Sequence, residues 1–315
     1  MSIQVLHDLD RIRLEGVVLS IGNFDGVHRG HQAIIGAARR RAQAVGGRVV
    51  AMTFEPHPAT ILSPDRVPAM LTPLDEKIRC LEAAGADIAV VVESRREFFD
   101  CPADTFVQDI IVGRFRPAAM VEGASFRFGR HRQGDIETLR AAGRTHGFDV
   151  EIVPPVCVDL GGHPDTVISS SLIRHLLSSG TVDRAALCLG RPYALLGRVE
   201  PGLARGRTLG FATANLALVA PQLVPAEGVY AGRATVGDST YAAAVSIGRT
   251  PTFGGDRQLI EAHLLDFDGD LYGCDLRLEF LAWLREQKKF DTPAALQTQI
   301  AEDIRQTREV FAATK

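Results

Sequence analysis

The spacing of apolar segments changes halfway along the chain, and this change constrains the fold more than any other feature. In the first half, short apolar segments that suit strands alternate with longer segments that suit helices. The strand segments are residues 16–21, 48–54, 87–93, 118–122 and 148–153, and the helix segments are residues 31–45, 74–84, 103–115 and 135–146. Such alternation predicts a parallel sheet covered by helices, in a doubly wound, Rossmann-like α/β domain.

The second half contains six strand segments with no helix between them. Two short helices, predicted at 171–179 and 182–189, separate it from the first half. The strand segments are residues 193–199, 212–218, 228–236, 240–247, 259–267 and 276–283, and a helix is predicted at 293–313. Consecutive strands of this kind predict a mainly antiparallel β-barrel with a C-terminal helix. We therefore expect two domains, residues 1–182 and 183–315.

Composition excludes several classes of partner. Of the 315 residues, 46% are hydrophobic and 23% are charged, and the net charge is −3, so no strongly basic field exists to bind nucleic acid or an anionic membrane. No apolar run of about 20 residues predicts a membrane span, and the first residues lack a secretory apolar core. The five cysteines are widely separated, which argues against a disulfide framework. We expect a cytoplasmic protein.

The segment GNFDGVHRGH, residues 22–31, leaves the first strand and begins the first helix. A helix N-terminus offers free N–H groups that bind phosphate, and Gly30 allows a phosphate to approach the backbone. His28 and His31 could then stabilise charge that builds up on a phosphorus atom. The alternatives are an ordinary turn with two solvated histidines, or a zinc site, for which the sequence supplies no neighbouring ligands.

Three further motifs follow in the first half. TFEPHP (53–58) ends the second strand, FRFG (126–129) follows the fourth, and ISSSLIR (168–174) begins a helix. Ser169, Ser170, Ser171 and Arg174 could hold phosphates, or the serines could simply cap the helix. No G-x-x-x-x-G-K-[ST] segment exists, which excludes a P-loop.

In the second half, a glycine-rich, arginine-bearing loop between the predicted strands 193–199 and 212–218 could fold its N–H groups around phosphates. Thr213 and Asn215 share one face of a strand, and their side-chain oxygens suit Mg²⁺. The alternative is a mobile hairpin with a structural Thr/Asn pair. We expect Glu261 on the inward face of its strand, either as a general base for a hydroxyl that attacks the γ-phosphate of ATP or as a paired carboxylate at the barrel rim.

These motifs resemble the bacterial bifunctional riboflavin kinase/FAD synthetase family. The first half is similar to its nucleotidylyltransferase domain through GNFDGVHRGHQ, TFEPHP, FRFG and ISSSLIR, in family order. The second half is similar to its riboflavin kinase domain through RGRTLGF, TANL, GVYAG, IGRTPTFGG, EAHLLDFDGDLYG and LREQKKF. The resemblance covers nearly the whole chain. It implies that riboflavin is phosphorylated by ATP to FMN, and that FMN then attacks a second ATP to give FAD and pyrophosphate.

The resemblance also implies roles for individual residues. In the first half, His28 and His31 stabilise the α-phosphate of ATP, the turn residues Gly22, Phe24, Asp25 and Gly30 bind ATP, and Ser169, Ser170, Ser171 and Arg174 hold the departing phosphates. In the second half, Glu261 is the base, Thr213 and Asn215 bind Mg²⁺ with ATP, and Gly206, Arg207 and Gly210 belong to a phosphate-binding flap.

Three positions depart from the family pattern. The family usually has Asp or Asn at the position of Ser125, Asn at the position of Ser246, and Pro at the position of Ala212. Alanine leaves the backbone before Thr213 freer than proline does, so we expect an active kinase with somewhat weakened ATP binding. The alternative functions are an adenylyltransferase with a weakened kinase domain, and a non-catalytic flavin-binding regulator.

Overall fold

The computed structural model describes residues 2–201, 213–252 and 255–314. It divides into two compact units, Met1–Ser170 and Ser171–Lys315. The predicted boundary between the two functions, 182/183, lies within the second unit and remains a prediction. In the part of the chain that the structure describes, no helix has the length and apolar character that crossing a membrane requires.

The first unit is built on a parallel sheet of six strands in the order β1-β4-β3-β2-β5-β6. The strands are β1 (Gln4–Leu6), β2 (Val18–Ile21), β3 (Val49–Glu55), β4 (Ile88–Glu93), β5 (Ala119–Gly123) and β6 (Asp149–Val153). From β2 the chain adds β3 and β4 on one side, and it then adds β5 and β6 on the other. The crevice between β2 and β5 is therefore the topological switch point, where ligands bind in such sheets.

Helices cover both faces of this sheet, which explains why its central strands are buried along nearly their whole length. They are α1 (Arg29–Val45), α2 (Ala59–Leu62), α3 (Leu74–Ala84), α4 (Arg96–Phe99), α5 (Ala103–Thr105) and α6 (Ile136–His146). One core packs Ile35 and Leu81 against Val18, and the other packs Ile111 and Leu139 against Leu19. The predicted α/β domain is confirmed.

Two local features of the first unit differ from the prediction. The edge strand β1 was not expected, since its three residues are too few to show an alternating pattern. The single helix predicted over 103–115 is α5 followed by a π-type helix, Phe106–Phe115. A short hairpin of β7 (Cys157–Val158) and β8 (Thr166–Val167) completes this unit.

The second unit contains a closed antiparallel barrel in the order β10-β13-β12-β11-β14-β9. Helices α7 (Ser170–Ser178) and α8 (Val182–Leu189) precede the barrel, and α9 (Pro293–Ala313) follows it. The strands are β9 (Tyr193–Glu200), β10 (Ala214–Leu218), β11 (Gly228–Val236), β12 (Ser239–Thr252), β13 (Gly255–Leu264) and β14 (Asp275–Arg285). The predicted barrel with its C-terminal helix is confirmed.

Two contacts fix helices of the second unit against the barrel. Gly180, in the α7–α8 connection, lies so close to Trp283 that a Cβ there would come within 2.5 Å of the indole ring. Its φ of +78° also favours glycine. Arg285 of β14 forms two hydrogen bonds, of 2.9 and 2.7 Å, with the carboxylate of Asp303 in α9. This buried pair attaches the C-terminal helix to the last strand.

Candidate functional site

The structure brings His28 and His31 together at the N-terminus of α1. His28 caps the helix, and its Nδ1 accepts a hydrogen bond from the backbone N–H of His31 at 3.4 Å. The two rings stack with 3.7 Å between their centroids. The pKa of His31 lies well below its ordinary value, mainly because the ring is buried and to a smaller extent because His28 and Lys77 are nearby. His31 is therefore a neutral imidazole at pH 7, and its buried Nδ1 has no hydrogen-bond partner among the described residues.

The turn that delivers these histidines has an unusual backbone. Phe24 and Val27 adopt left-handed conformations, with φ of 48° and 38°, although both side chains are fully buried. Such strain in bulky residues is typical of functional turns. A Cβ at Gly22 would lie 3.3 Å from the Phe24 ring, and one at Gly30 would lie 3.1 Å from the His28 ring. The two glycines make room for the aromatic rings of the turn.

Asp25 fastens this turn to the segment that leads into α3. Its buried carboxylate accepts hydrogen bonds from the backbone N–H of Leu71 at 3.0 Å and of Thr72 at 3.1 Å. The carbonyl oxygen of Asp25 accepts a hydrogen bond of 2.9 Å from the hydroxyl of Ser170. The structure therefore joins one of the predicted serines to the histidine turn, and the carboxylate of Asp25 holds the protein backbone.

The TFEPHP segment lies beside the same turn, because the carboxyl ends of the parallel neighbours β2 and β3 meet at one edge. Thr53 Oγ1 donates a hydrogen bond to the carbonyl of Asn23 at 3.1 Å. The Asn23 amide lies 3.4 Å from Nε2 of His57. Of the remaining predicted phosphate ligands, Ser169 is half-buried just before α7, while Ser171 and Arg174 lie on α7 in the second unit.

After β5, the FRFG segment forms part of an aromatic cluster. The rings of Phe126 and Phe128 stack with 5.6 Å between centroids, and Phe106 lies 5.5 Å from Phe128. Arg127 is half-exposed and pairs with Asp135 at 2.9 Å. Ser125, where the family usually has Asp or Asn, is exposed.

Sequence motifs missed Glu122, which lies in β5 at the switch point. Only 2% of this residue is exposed, and its Oε1 accepts a hydrogen bond of 2.8 Å from the backbone N–H of Ile21. The backbone pairing of strands β2 and β5 extends as far as Leu19 and Met120. Beyond these residues, the side chain of Glu122 takes the place of a backbone acceptor for the N–H of Ile21. Burial raises the pKa of Glu122 well above its ordinary value, and the hydrogen bond from the backbone N–H of Ile21 opposes this shift.

Lys77 on α3 was also missed. It is 4% exposed, and its Nζ lies 3.4 Å from the carbonyl of Phe54 and 3.8 Å from Oε2 of Glu55. Burial lowers the pKa of this lysine, whereas the carboxylates of Glu55 and Asp25 oppose the shift. The sequence offered one signal for Lys77: it stands alone as a lysine in the first half of the chain, since the other three lysines all lie beyond residue 287.

On the barrel, the predicted base and metal ligand are direct neighbours. Asn215 of β10 and Glu261 of β13 are register partners, and Ser246 of β12 is the partner of Glu261 on its other side. The inward orientation predicted for Glu261 is wrong. Glu261 is half-buried and alternates with the buried Ile260 and Ala262, which places it on the outer face of the barrel, where a carboxylate can remain hydrated.

Other residues surround this outer row. Thr213 immediately precedes β10 and is half-buried. The side-chain amide of Gln287, just after β14, donates hydrogen bonds to Ser246 Oγ at 2.8 Å and to the carbonyl of Ile247 at 3.2 Å. The predicted flap residues Gly206, Arg207 and Gly210 lie outside the described residues, as does Ala212.

Comparison with known proteins identifies the family of each half of the chain. The family model described as FAD synthetase matches residues 10–171, and the one described as riboflavin kinase matches residues 189–311. The chain is 38% identical over 314 residues to the bifunctional riboflavin kinase/FMN adenylyltransferase of Escherichia coli (strain K12), covering 99% of this chain and 98% of that protein. It is 34% identical over 318 residues to the protein of the same name from Bacillus subtilis (strain 168), covering 98% of each.

A solved structure has the same fold. It is described as a macrolide-efflux protein from Streptococcus pneumoniae, with a TM-score of 0.89, 30% sequence identity, and coverage of 97% of this chain and 99% of that chain. Fold, sites and family matches together define a two-domain transferase of flavin-cofactor synthesis. The chain belongs to the family of bifunctional riboflavin kinases/FMN adenylyltransferases. It is a riboflavin kinase and an FMN adenylyltransferase.

Proposed function

We propose that residues 1–182 transfer the adenylyl group of ATP to FMN, and that residues 183–315 phosphorylate riboflavin with ATP. The FAD synthetase match ends at 171 and the riboflavin kinase match begins at 189, and the proposed boundary lies between them. The substrates are riboflavin, FMN and ATP. We place the enzyme in the cytoplasm, a reducing compartment that suits its five free cysteines.

The stacked pair of His28 and His31 at the helix N-terminus is the observation that carries the first activity. A phosphate oxygen of FMN attacks the α-phosphorus of ATP, the bond to the β-phosphate oxygen breaks, and pyrophosphate leaves. The nucleophile is already an anion, so catalysis consists of positioning and charge stabilisation. His28, His31 and the free N–H groups of α1 stabilise the charge on the α-phosphate.

The other predicted residues of this site have supporting roles. Gly22, Phe24, Asp25 and Gly30 shape the turn, and the contacts of Asp25 with Leu71 and Thr72 support a positioning role. Ser169, Ser170, Ser171 and Arg174 hold the departing pyrophosphate. The hydrogen bond from Ser170 to Asp25 supports the assignment of the serine segment to this site.

The register pairing of Asn215 with Glu261 carries the proposal for the kinase site. Glu261 accepts the proton of the 5′-hydroxyl of riboflavin as that oxygen attacks the γ-phosphorus and ADP leaves. Thr213 and Asn215 offer a hydroxyl and an amide oxygen beside this carboxylate, a donor set of hard oxygens that fits Mg²⁺. When bound, Mg²⁺ neutralises phosphate charge on ATP.

Two substitutions in the full-length chain test the assignment of the two sites. His31→Ala removes one donor to the transition state, and FAD formation from FMN should fall about 10²–10³-fold while FMN formation is nearly unchanged. Glu261→Gln should lower FMN formation about 10²–10⁴-fold and leave FAD formation intact. Each variant serves as the control for the other. Equal losses of both activities in either variant would contradict two separate sites.

Separate fragments test the boundary. Residues 1–182 should convert FMN to FAD, and residues 183–315 should convert riboflavin to FMN, as measured by chromatography of the flavins. A second pair, cut at 170/171 where the compact units divide, shows whether α7 is needed for FAD formation. If neither fragment of the first pair is active while the full chain is, the boundary is misplaced or the domains depend on one another.

Chromatography also separates the alternatives for the intact chain with riboflavin, ATP and Mg²⁺. FMN and FAD together support both activities. FAD from added FMN, with no FMN from riboflavin, would leave an adenylyltransferase with a weakened kinase domain, and no turnover would leave a flavin-binding regulator.

A further inference from the structure

The ammonium group of Lys77 is a buried cation that its protein surroundings satisfy poorly. The side chain of Lys77 is 5% exposed. An ammonium has three hydrogens to donate. Among the described residues, Nζ has one hydrogen-bond acceptor, the carbonyl oxygen of Phe54, and that contact is long at 3.4 Å. The nearest carboxylate oxygen, Oε2 of Glu55, lies at 3.8 Å, beyond hydrogen-bonding distance.

A pair that serves only to stabilise the fold looks different in this chain. The side chains of Arg285 and Asp303 are 15% and 6% exposed, and they form two hydrogen bonds of 2.9 and 2.7 Å. In contrast, Oε2 of Glu55 is buried without a hydrogen-bond partner although Lys77 is its neighbour. The Lys77–Glu55 pair therefore leaves donor and acceptor capacity unused, which is costly in a buried position unless another group makes use of it.

The surroundings of Lys77 indicate which kind of ligand would use its free hydrogen-bonding capacity. Lys77 lies near His31, since its charge contributes to the lowered pKa of the imidazole, and Nδ1 of His31 is itself buried without a hydrogen-bond partner. Asp25 is close enough to raise the pKa of Lys77, and it ties the segment before α3 to the histidine turn. These side chains converge where β2 and β3 end, beside a helix N-terminus that favours anions.

We propose that Lys77 binds a phosphate group during adenylyl transfer, donating hydrogen bonds to phosphate oxygens next to His31. Glu55 holds the ammonium in place when no phosphate is bound. The bound chemistry is a phosphate monoester or diphosphate, supplied by FMN or by the pyrophosphate portion of ATP. This inference rests on the proposed assignment of adenylyl transfer to the histidine turn.

The test uses Lys77→Met and Lys77→Arg in the full-length chain. Lys77→Met preserves much of the side-chain volume but removes the charge, and kcat/KM for FAD formation should fall about 10²-fold. Lys77→Arg should retain more activity than Lys77→Met, since the charge is kept and the geometry is altered. FMN formation from riboflavin should be unchanged in both. Arg140→Met, which removes an exposed cation paired with Glu137 in the same unit, is the matched control.

Ligand binding distinguishes the two sources of phosphate. FMN binding is followed by flavin fluorescence, and pyrophosphate binding is followed by inhibition of FAD formation. Weaker binding of either ligand by Lys77→Met supports the proposal and identifies the phosphate. Unchanged binding of both, or FAD formation within threefold of wild type, would overturn it.

Glu55→Gln keeps the proposal testable if Lys77→Met fails to fold. The groups that face Lys77 are Glu55 on β3, Asp25 in the turn and His31 on α1. The carboxylate of Glu55 raises the pKa of Lys77, so Glu55→Gln should lower that pKa. The pH above which FAD formation declines should then be lower than in the wild type, and an unchanged pH would contradict a role for the ammonium.

His31→Ala, measured in parallel, separates this inference from the function on which it rests. If only His31→Ala impairs FAD formation, the inference about Lys77 fails and the proposed function stands. If neither Lys77→Met nor His31→Ala impairs it, the proposed function fails as well.

Discussion

The carboxylate of Asp25 accepts a hydrogen bond from the backbone of Thr72, although 47 positions separate the two residues in the chain. The backbone N–H of Thr72 donates to Oδ1 of Asp25 at 3.1 Å, and the hydroxyl oxygen of Thr72 accepts from the N–H of Gly26 at 3.1 Å. The turn that carries the two histidines and the segment that leads into α3 therefore form one structural element. We call these contacts between Asp25, Gly26 and Thr72 the clamp. A substitution in the clamp should displace the two histidines even though the substituted residue does not itself bind ATP or FMN.

Asp25→Asn tests this clamp. The amide has one acceptor oxygen in place of two and no charge, so we expect a loss of about 1–3 kcal/mol in the free energy of unfolding. FAD formation should fall about ten- to a hundredfold, because small displacements of catalytic groups have large effects on rate. Urea unfolding and flavin chromatography measure the two effects. Asp10→Asn, at an exposed carboxylate, is the control, and an unchanged rate of FAD formation in Asp25→Asn would argue against the clamp.

Glu122 should make stability depend on pH. Burial raises its pKa, so the folded protein keeps a proton that the unfolded chain releases as pH rises above the ordinary value of 4.5. Its contribution to stability is therefore complete below that value and is lost as pH rises through the raised pKa. Glu122→Gln replaces the neutral acid by a neutral amide and removes this loss.

The measurement for Glu122 is the urea midpoint of the wild type and of Glu122→Gln at several pH values. The difference in favour of the glutamine variant should grow from pH 5 towards pH 9. Parallel curves for the two proteins would show that Glu122 ionises at its ordinary pKa. Glu137→Gln, at an exposed carboxylate, should follow the wild type.

Gln287 should affect the kinase alone. Its amide donates to Ser246 and to the carbonyl of Ile247, so it holds the segment after β14 against the strand beside Glu261. Gln287→Ala removes two neutral hydrogen bonds, and we expect FMN formation to fall roughly two- to tenfold. FAD formation from FMN should be unchanged. Gln306→Ala, which removes a hydrogen bond on α9, is the control, and equal effects of the two variants would count against a specific role for Gln287.

The Arg285–Asp303 pair should contribute strongly to the stability of the barrel unit. Asp303→Ala leaves a buried guanidinium without its carboxylate, which costs about 3–5 kcal/mol in the free energy of unfolding. Asp275→Ala removes the exposed partner of Arg198 and should cost less than about 1 kcal/mol. Urea unfolding of the two variants measures the contrast. Similar losses in both would show that burial of the Arg285 pair has little effect.

Much of the fold follows from local sequence patterns. Helices Leu74–Ala84, Val182–Leu189 and Pro293–Ala313 and strand Gly228–Val236 begin and end at the predicted residues. Hydrophobic periodicity and the glycines that end helices act over a few residues, so they can be recognised without a fold. The motifs located the histidine turn and the Asn215–Glu261 strands for the same reason.

Tertiary structure alone decided which side chains meet. The burial of Lys77 and Glu122 depends on the order of strands β2, β3 and β5, and no local pattern encodes the desolvation that shifts their pKa values. Glu261 was predicted to face inward but lies on the outer face of the barrel. The alternation of residues along a strand defines two faces, but it does not show which face packs against the barrel core. Local sequence thus determined the elements and the chemical groups they carry, and the packing of distant segments determined which of these groups lie in contact, in water or in the core.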